Sequence, residues 1–481
     1  MMCFVMYRNK RGVFTLSLFF AFYLAAAQHQ EVHEKPGIWR GKEVEVRDTT
    51  SLLHAFRSGK VQGHLRYFFS VTDNNRGLSD YFANAFGGGL RYETGKFHGF
   101  QLGISGFYIF NIGSSDLTKR DTVTQQLNRY ELGLFDVENP ANKNDIDRLE
   151  EFYLKYTYRK SFIRYGRQLI NTPFINLQDG RMRPTGVEGI WFEMNEVRRL
   201  HLEGGWIYAV SPRSTVRWFT AAHSVGVYPM GVNPDGTKSD YFKNIRSRGV
   251  FLMGFKYQPI SWWTISGWSL FFENIQHSAL LQTDAYPKLK ENLNLIGGLQ
   301  FIRQDAVQHG GNPNPRKTYM PRGASSMVAG TRLGIKYKDF ETTVNYTRIF
   351  KNGRYLMPRE WGRDPFYTFL PRERNEGLGD VHALVVKAQY QFPAQRILLA
   401  AAAGYYRLPD VKNYALNKYG MPSYTQINAD IRYAFNGIFK GLDAQLLVVA
   451  KINNGDLHND RRYEINKVNM ALYNLVLNYH F

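Results

Sequence analysis

Lysine and arginine residues recur on the polar face of many short alternating segments, and such an array could bind anions. Successive side chains of an extended strand point to opposite faces, so these cations would share one face. The set comprises Arg66, Arg91, Lys155, Arg164, Arg332, Lys336, Lys387, Arg432 and Lys451. Rows of arginine and lysine in a pore favour anions and carboxylate-bearing solutes. Alternatively, the charges only hydrate that face and pair with acids such as Glu93, Glu203 or Asp430.

Catalytic chemistry has no comparable support. The sequence contains no G-x-S-x-G, H-E-x-x-H or Walker motif, and its 12 His are scattered. Cys3, the only cysteine, precedes an apolar run near the N-terminus, which excludes disulfides and thiolate chemistry in a processed chain. We therefore predict no catalytic residues, no metal site and no cofactor. A barrel enzyme with a Ser/His pair brought together only by folding stays open as an alternative.

The N-terminus has the pattern of a secretory signal. Arg8, Lys10 and Arg11 precede an apolar run from Val13 to Leu24, and three alanines follow it. We interpret residues 1–27 as a signal peptide and residues 28–50 as a periplasmic N-terminal extension. A membrane anchor is the alternative for the apolar run, which is short for a spanning helix.

The remaining sequence predicts an all-β protein. It is rich in aromatic residues, with 31 Tyr, 34 Phe and 8 Trp, and its mean hydropathy of -0.39 is too low for a helical membrane protein. No later segment reaches the ~18 apolar residues of a membrane helix. An exported chain of this kind can span a membrane only as closed β-structure, because an open sheet edge leaves backbone groups unsatisfied in lipid.

Alternating segments support this interpretation, and the C-terminal one is the clearest. Tyr473, Leu475, Leu477, Tyr479 and Phe481 share one face, while Asn474, Asn478 and His480 share the other with Val476. A terminal Phe after such a strand is typical of clients of the outer-membrane assembly machinery, so we predict that Phe481 contacts it. Because the polar set carries Lys and Arg on strand after strand, it cannot form a dry core; we expect it to line a water-filled lumen, with the apolar set facing lipid.

The strand count follows from the same segments. Roughly seventeen candidates occur, and bacterial single-chain barrels use even numbers, so we predict about 18 antiparallel strands over residues 51–481, with 16 as the alternative. Short turns at 159–161, 338–339 and 393–395 would be periplasmic, and longer connections around 111–148, 211–247, 304–326 and 350–380 extracellular.

The net charge of +20 is spread over these strands and is not concentrated in one patch. This dispersion argues against nucleic-acid binding. Outer-membrane lipids, and lipopolysaccharide phosphates bound by loop arginines, are the expected surface partners.

The segment from Ile163 to Pro184 resembles the OprD-type, substrate-specific outer-membrane porins. It contains Tyr165-Gly-Arg-Gln168, then Asn171-Thr-Pro173, then Asp179 and Arg181 ahead of Pro184. The stretch from Ser51 to Gly106 resembles the first hairpins of that family. The resemblance is strongest over residues 50–210 and weaker afterwards, although the terminal strand supports it again.

The resemblance implies an 18-stranded barrel with a pore in each monomer, narrowed by a loop that folds into the lumen. In this sequence the constriction loop would be residues 171–189, with Asp179, Arg181 and Arg183 near the narrowest point. It also implies passage of small carboxylate-bearing solutes, anionic or zwitterionic. The segments 361–369 and 372–374 have no counterpart that we can assign, and an inward fold there would change the solute.

Together these features predict a porin of the bacterial outer membrane for passive diffusion of small solutes through a basic lumen. A barrel enzyme and a plugged structural or adhesive barrel are the alternatives.

Overall fold

The computed structural model of the protein describes residues 37–40, 48–177 and 181–481. The predicted signal peptide, most of the predicted extension 28–50, and Asp179 lie outside these residues. Within them, no helix is long and apolar enough to cross a membrane. A short helix, α1 (Leu52–Arg57), precedes the sheet; its N-cap Ser51 accepts a hydrogen bond from the His54 backbone N–H.

Eighteen long antiparallel strands make up the described sheet. They are β1 (Lys60–Asp73), β2 (Tyr81–Glu93), β3 (Phe100–Ser114), β4 (Asp147–Tyr158), β5 (Ser161–Gln168), β6 (Gly186–Met194), β7 (Leu200–Ser211), β8 (Val250–Ile260), β9 (Trp263–Phe272), β10 (Gln276–Ala285), β11 (Leu293–Ala306), β12 (Ser325–Tyr337), β13 (Phe340–Ile349), β14 (Val381–Phe392), β15 (Ile397–Arg407), β16 (Tyr424–Ala434), β17 (Leu442–Asn453) and β18 (Met470–His480). Short strand pieces at Asp48–Thr49, Lys96–Phe97, Phe219–Thr220 and Lys288–Lys290 extend it, and 3₁₀ turns lie at Leu132–Leu134, Arg359–Trp361, Gly437–Phe439 and Arg461–Tyr463.

The first long strand pairs with the last and closes the barrel. His64 of β1 lies opposite His480 of β18, and the register continues to the pair Asp73 and Ala471. Gly63 and Phe481 exchange backbone hydrogen bonds of 2.8 and 3.1 Å beyond the end of this ladder. The predicted antiparallel barrel of 18 strands is thereby confirmed, and the alternative of 16 is wrong.

The side chains alternate between the two faces of the barrel wall as the sequence pattern indicates. On β12, Leu333 is 66% exposed on the outer face, whereas its neighbour Arg332 is buried on the lumen face. On β18, Asn474, Val476 and Asn478 are buried while Tyr473 is exposed. The exposed apolar residues are those that face lipid in a transmembrane barrel.

The connections differ in length at the two ends of the barrel. Short turns at one end carry a residue with positive φ, such as Arg159 (φ 51°) and Lys338 (φ 51°). The other end carries the long connections 115–146, 169–185, 212–249, 307–324 and 350–380. The sequence pattern had not singled out the connections 408–423 and 454–469 at this end.

The lumen face is not polar throughout, which differs from the uniformly polar lining that the alternation indicated. At the ends of β6 to β15 that carry the long connections, the lumen face has buried apolar side chains that join one hydrophobic cluster with the long loops. Examples are Val187, Leu252, Val328 and Val385. These residues pack against protein and not against water, because a loop fills that part of the lumen.

Candidate passage through the lumen

The connection 350–380, here called the long loop, crosses the lumen. Its carbonyl oxygens accept hydrogen bonds from lumen-facing side chains of the strands around it. Gln300 donates to the Pro365 oxygen at 2.9 Å, Gln426 to the Pro371 oxygen at 2.7 Å and Tyr406 to the Thr368 oxygen at 2.9 Å. Because the donors lie on β11, β16 and β15, the loop is bonded to well-separated parts of the wall.

Large aromatic and charged residues anchor the long loop. The Trp361 ring is fully buried, lies 5.0 Å from the Phe272 ring, and donates a 3.0 Å hydrogen bond to the Ser224 hydroxyl. Arg359 forms a 2.8 Å salt bridge with Glu376 and stacks 3.4 Å above the Tyr419 ring. Burial lowers the pKa of the neighbouring Lys418 to about 8. These contacts fix the long loop inside the barrel.

The constriction loop was predicted at residues 171–189. In the structure the connection between β5 and β6 is residues 169–185, because β6 begins at Gly186. It packs against the long loop, because the Asn176 N–H donates to the Trp361 oxygen at 2.9 Å. Arg183 is buried and bonded to Glu150 of β4, which also pairs with Arg148 at 2.8 Å. Arg181 is buried with its guanidinium 5.9 Å from the Tyr130 ring centre.

A third segment, the connection 115–146, also contacts the lumen face of the wall. Glu131, in the connection 115–146, is fully buried and accepts hydrogen bonds from Ser70 at 3.2 Å and Thr72 at 2.6 Å, both on the lumen face of β1. Burial raises the pKa of Glu131 to about 7. Sequence reasoning did not identify this residue.

Three guanidinium groups converge on the lumen face of β1. Arg66 lies on β1 itself, with its guanidinium carbon 5.6 Å from the Phe68 ring centre. Arg372 of the long loop lies 5.9 Å from the same ring, and Arg183 contacts His64 at 3.0 Å. Arg66 donates to the Asn478 amide oxygen at 2.7 Å and Arg372 to that of Asn474 at 2.6 Å. Strand, constriction loop and long loop therefore each supply one arginine to this group.

Residues before the barrel reach the same place. The Arg183 guanidinium lies 4.7 Å from the Trp39 ring centre, and Arg40 forms a 3.2 Å salt bridge with Asp443. His64 and His480 stack beside them with ring centres 4.3 Å apart. The part of the extension that the structure describes thus contacts the arginine group from the end where both barrel termini lie.

The nine predicted basic residues all occupy lumen-facing register positions on their strands. Several are paired with carboxylates: Arg91 with Glu93 and Glu151, Arg332 with Asp284, Arg432 with Asp430, and Lys336 with Glu341. Arg164 lies over the Tyr153 ring, Lys155 over Phe162, and Lys451 donates to the Arg372 oxygen at 2.5 Å. Lys387 faces the lumen on β14, nearer the short turns than the long loop. The structure thus brings Arg66 and Arg183 together and places Arg91, Arg332, Lys336 and Arg432 in local ion pairs.

One signal in the sequence could have located the long loop. Residues 355–370 include Tyr355, Leu356, Met357, Trp361, Phe366, Tyr367, Phe369 and Leu370, and a solvated loop rarely exposes so many large apolar side chains. Within the described residues, no group of three or more His, Cys, Asp or Glu could hold a metal ion.

Comparison with known proteins supports the same architecture. Residues 124–354 match the family model described as outer membrane porin, OprD family. OccK9 (OpdG) of Pseudomonas aeruginosa superposes with a TM-score of 0.69 at 14% identity, covering 89% of this chain and 99% of that chain. OccAB3 of Acinetobacter baumannii has a TM-score of 0.68 at 16% identity, covering 89% and 100%. OpdK of P. aeruginosa has a TM-score of 0.67 at 13% identity, covering 89% and 99%. The search of curated proteins found no match.

Proposed function

We propose that this barrel is a passive channel of the bacterial outer membrane for small carboxylate-bearing solutes. The family match confirms its resemblance to the OprD porins. The observation that carries the proposal is the convergence of Arg66, Arg183 and Arg372 on one lumen face. Glu150 and Asp443 balance part of this charge, because they pair with Arg183 and Arg40. Placing further like charges beside these pairs has a cost, which an arriving anion offsets. The planar guanidinium also matches the geometry of a carboxylate.

The magnitude of the attraction favours a selective channel that binds weakly. A carboxylate about 5 Å from one guanidinium gains about 3 kcal/mol at an effective dielectric constant of ~20. Desolvation of the solute opposes this gain, so occupancy is brief and the solute can leave. Conduction requires such a balance, because a tightly held solute would block the passage.

The inward loops support a limit on solute size. Because the long loop, the constriction loop and the connection 115–146 all fold inward, the space left for a solute is smaller than in an open 18-stranded barrel. One similar solved structure is that of OpdK with vanillate, a small aromatic carboxylate. That observation concerns OpdK, and here it supports only the chemical class.

The test is the reversal potential of the purified protein in a planar bilayer under a salt gradient. We expect discrete conductance steps with anion preference, and a shift of the reversal potential toward cation preference in Arg66→Gln and Arg372→Gln. The matched control is Arg159→Gln, an exposed arginine in the turn after β4. Unchanged selectivity in both lumen variants, with conductance intact, would contradict the arginine group as the selective element.

The alternative of a plugged structural barrel has one observation in its favour, since loop residues and the wall share a continuous apolar cluster. That alternative predicts no conductance from correctly folded protein. Folding is checked independently by the shift in electrophoretic mobility on heating, which reports the intact barrel.

A further inference from the structure

On three neighbouring strands, the lipid-facing apolar residues are followed by a basic residue at the end of the strand that carries the long connections. On β13 the outward residues run Val344, Tyr346, Arg348; on β14 they run Val386, Leu384, His382; on β15 they run Ala403, Tyr405, Arg407. Val344, Leu384, Val386 and Tyr405 are exposed, as expected for contact with acyl chains, whereas Tyr346 is half-buried. The basic residues therefore lie where the apolar wall ends.

The pairing register places these basic residues in one continuous row. Arg348 lies directly opposite His382, and His382 lies directly opposite Arg407. Side chains opposite each other on one face of a sheet have Cβ atoms about 5 Å apart. Lys351, exposed just beyond β13, lies next to the same edge. We call Arg348, Lys351, His382 and Arg407 the rim row.

The charges of the rim row do not cancel. Arg348 forms a 2.5 Å salt bridge with Asp380, and this hydrogen bond holds the pKa of Asp380 below its usual value. Among the described residues, neither Arg407 nor Lys351 forms a salt bridge. Tyr346 contacts the His382 ring at 2.8 Å and fixes its orientation. One carboxylate thus faces three permanent cations.

Other outward cations at this end of the barrel are paired with carboxylates. Arg167 of β5 forms a 3.1 Å salt bridge with Glu188, and Arg303 of β11 pairs with Asp305. The excess of cations over carboxylates in the rim row therefore indicates a local anionic ligand.

We propose that the rim row binds the phosphate groups of a lipopolysaccharide molecule whose acyl chains lie against the apolar residues of β13 to β15. The ligand class follows from three observations: the row faces lipid, it caps an apolar wall, and it lies at the extracellular edge, where the outer leaflet meets the barrel. Guanidinium and ammonium groups at this depth pair with lipid phosphates. The inference is independent of the proposed channel function.

The experiment uses the full chain purified in detergent and native mass spectrometry of its complexes with diphosphorylated lipid A, fully dephosphorylated lipid A and phosphatidylglycerol. We expect retention of the diphosphorylated form, with at least tenfold weaker binding in the double variant Arg407→Gln/Lys351→Gln. The matched control is Arg159→Gln/Lys160→Gln, which removes two exposed cations from a turn at the other end of the barrel.

Equal retention of dephosphorylated and diphosphorylated lipid A would overturn the proposal, because phosphate would then contribute nothing. Equal loss of binding in the control variant would also overturn it, because net charge and not the rim row would be responsible. Equal retention of phosphatidylglycerol would overturn the assignment to lipopolysaccharide. An unchanged shift in electrophoretic mobility on heating shows that the variant barrel is folded.

Discussion

Replacing Trp361 by Ala should release the long loop without unfolding the barrel. The indole is fully buried against Phe272, and its N–H is bonded to Ser224. Truncating a buried Trp costs about 3–5 kcal/mol. The 18-stranded ladder does not include this side chain, so the cost falls on the packing of the loop. A change of about 4 kcal/mol raises the population of a released loop by about 10³-fold, since each 1.36 kcal/mol is a factor of ten.

Single-channel recording in planar bilayers measures this release. We expect Trp361→Ala to show larger or noisier conductance than the parent, because a released loop leaves and re-enters the lumen. The matched control is Trp262→Ala, a Trp in the turn between β8 and β9 that is 43% exposed. If the folded Trp361→Ala protein conducts with the same amplitude and noise as the parent, the indole does not hold the loop, and our account of the anchoring is refuted.

Four further predictions concern the passage and the barrel seam. Because burial raises the pKa of Glu131 to about 7, its ionisation should reduce anion preference as the pH rises through 7, and Glu131→Gln should abolish that dependence in reversal-potential measurements. By the same linkage, the free energy of unfolding should fall as the pH rises from about 4.5 to about 7, where the folded state binds more protons than the unfolded state. Trp39→Ala should increase conductance, because the ring lies against Arg183; an unchanged current would show that the extension does not obstruct the passage. Deleting Phe481, whose ring fills the space that a side chain at Gly63 would take, should lower the amount of folded protein in outer-membrane fractions, and equal amounts would contradict a role in assembly.

The barrel could be predicted from the sequence because a membrane wall imposes a local rule. Each strand residue faces either lipid or lumen, so the alternation of Leu333 with Arg332, or of Tyr473 with Asn474, appears in the order of residues itself. The strand count followed from the number of alternating segments and from the even number that is typical of bacterial single-chain barrels.

The candidate passage could be predicted only in part. Strand parity places Arg66 on the lumen face, and the family resemblance indicates that Arg183 lies in an inward loop. Parity says nothing about partners, however, and it could not show that Arg332 and Arg432 lie beside Asp284 and Asp430. Those pairs depend on the stagger between strands and on rotamers.

The sequence by itself determined the fold class, the closed wall and the faces of its residues, because these depend on a period of two along each strand. Only the tertiary structure decided what fills the lumen. The long loop lies far along the chain from Trp39, Arg66 and Arg183, and its contact with the constriction loop joins Asn176 and Arg363, which are 187 positions apart. No local sequence pattern predicts these contacts, because they depend on the shape and chemistry of the lumen inside the closed barrel.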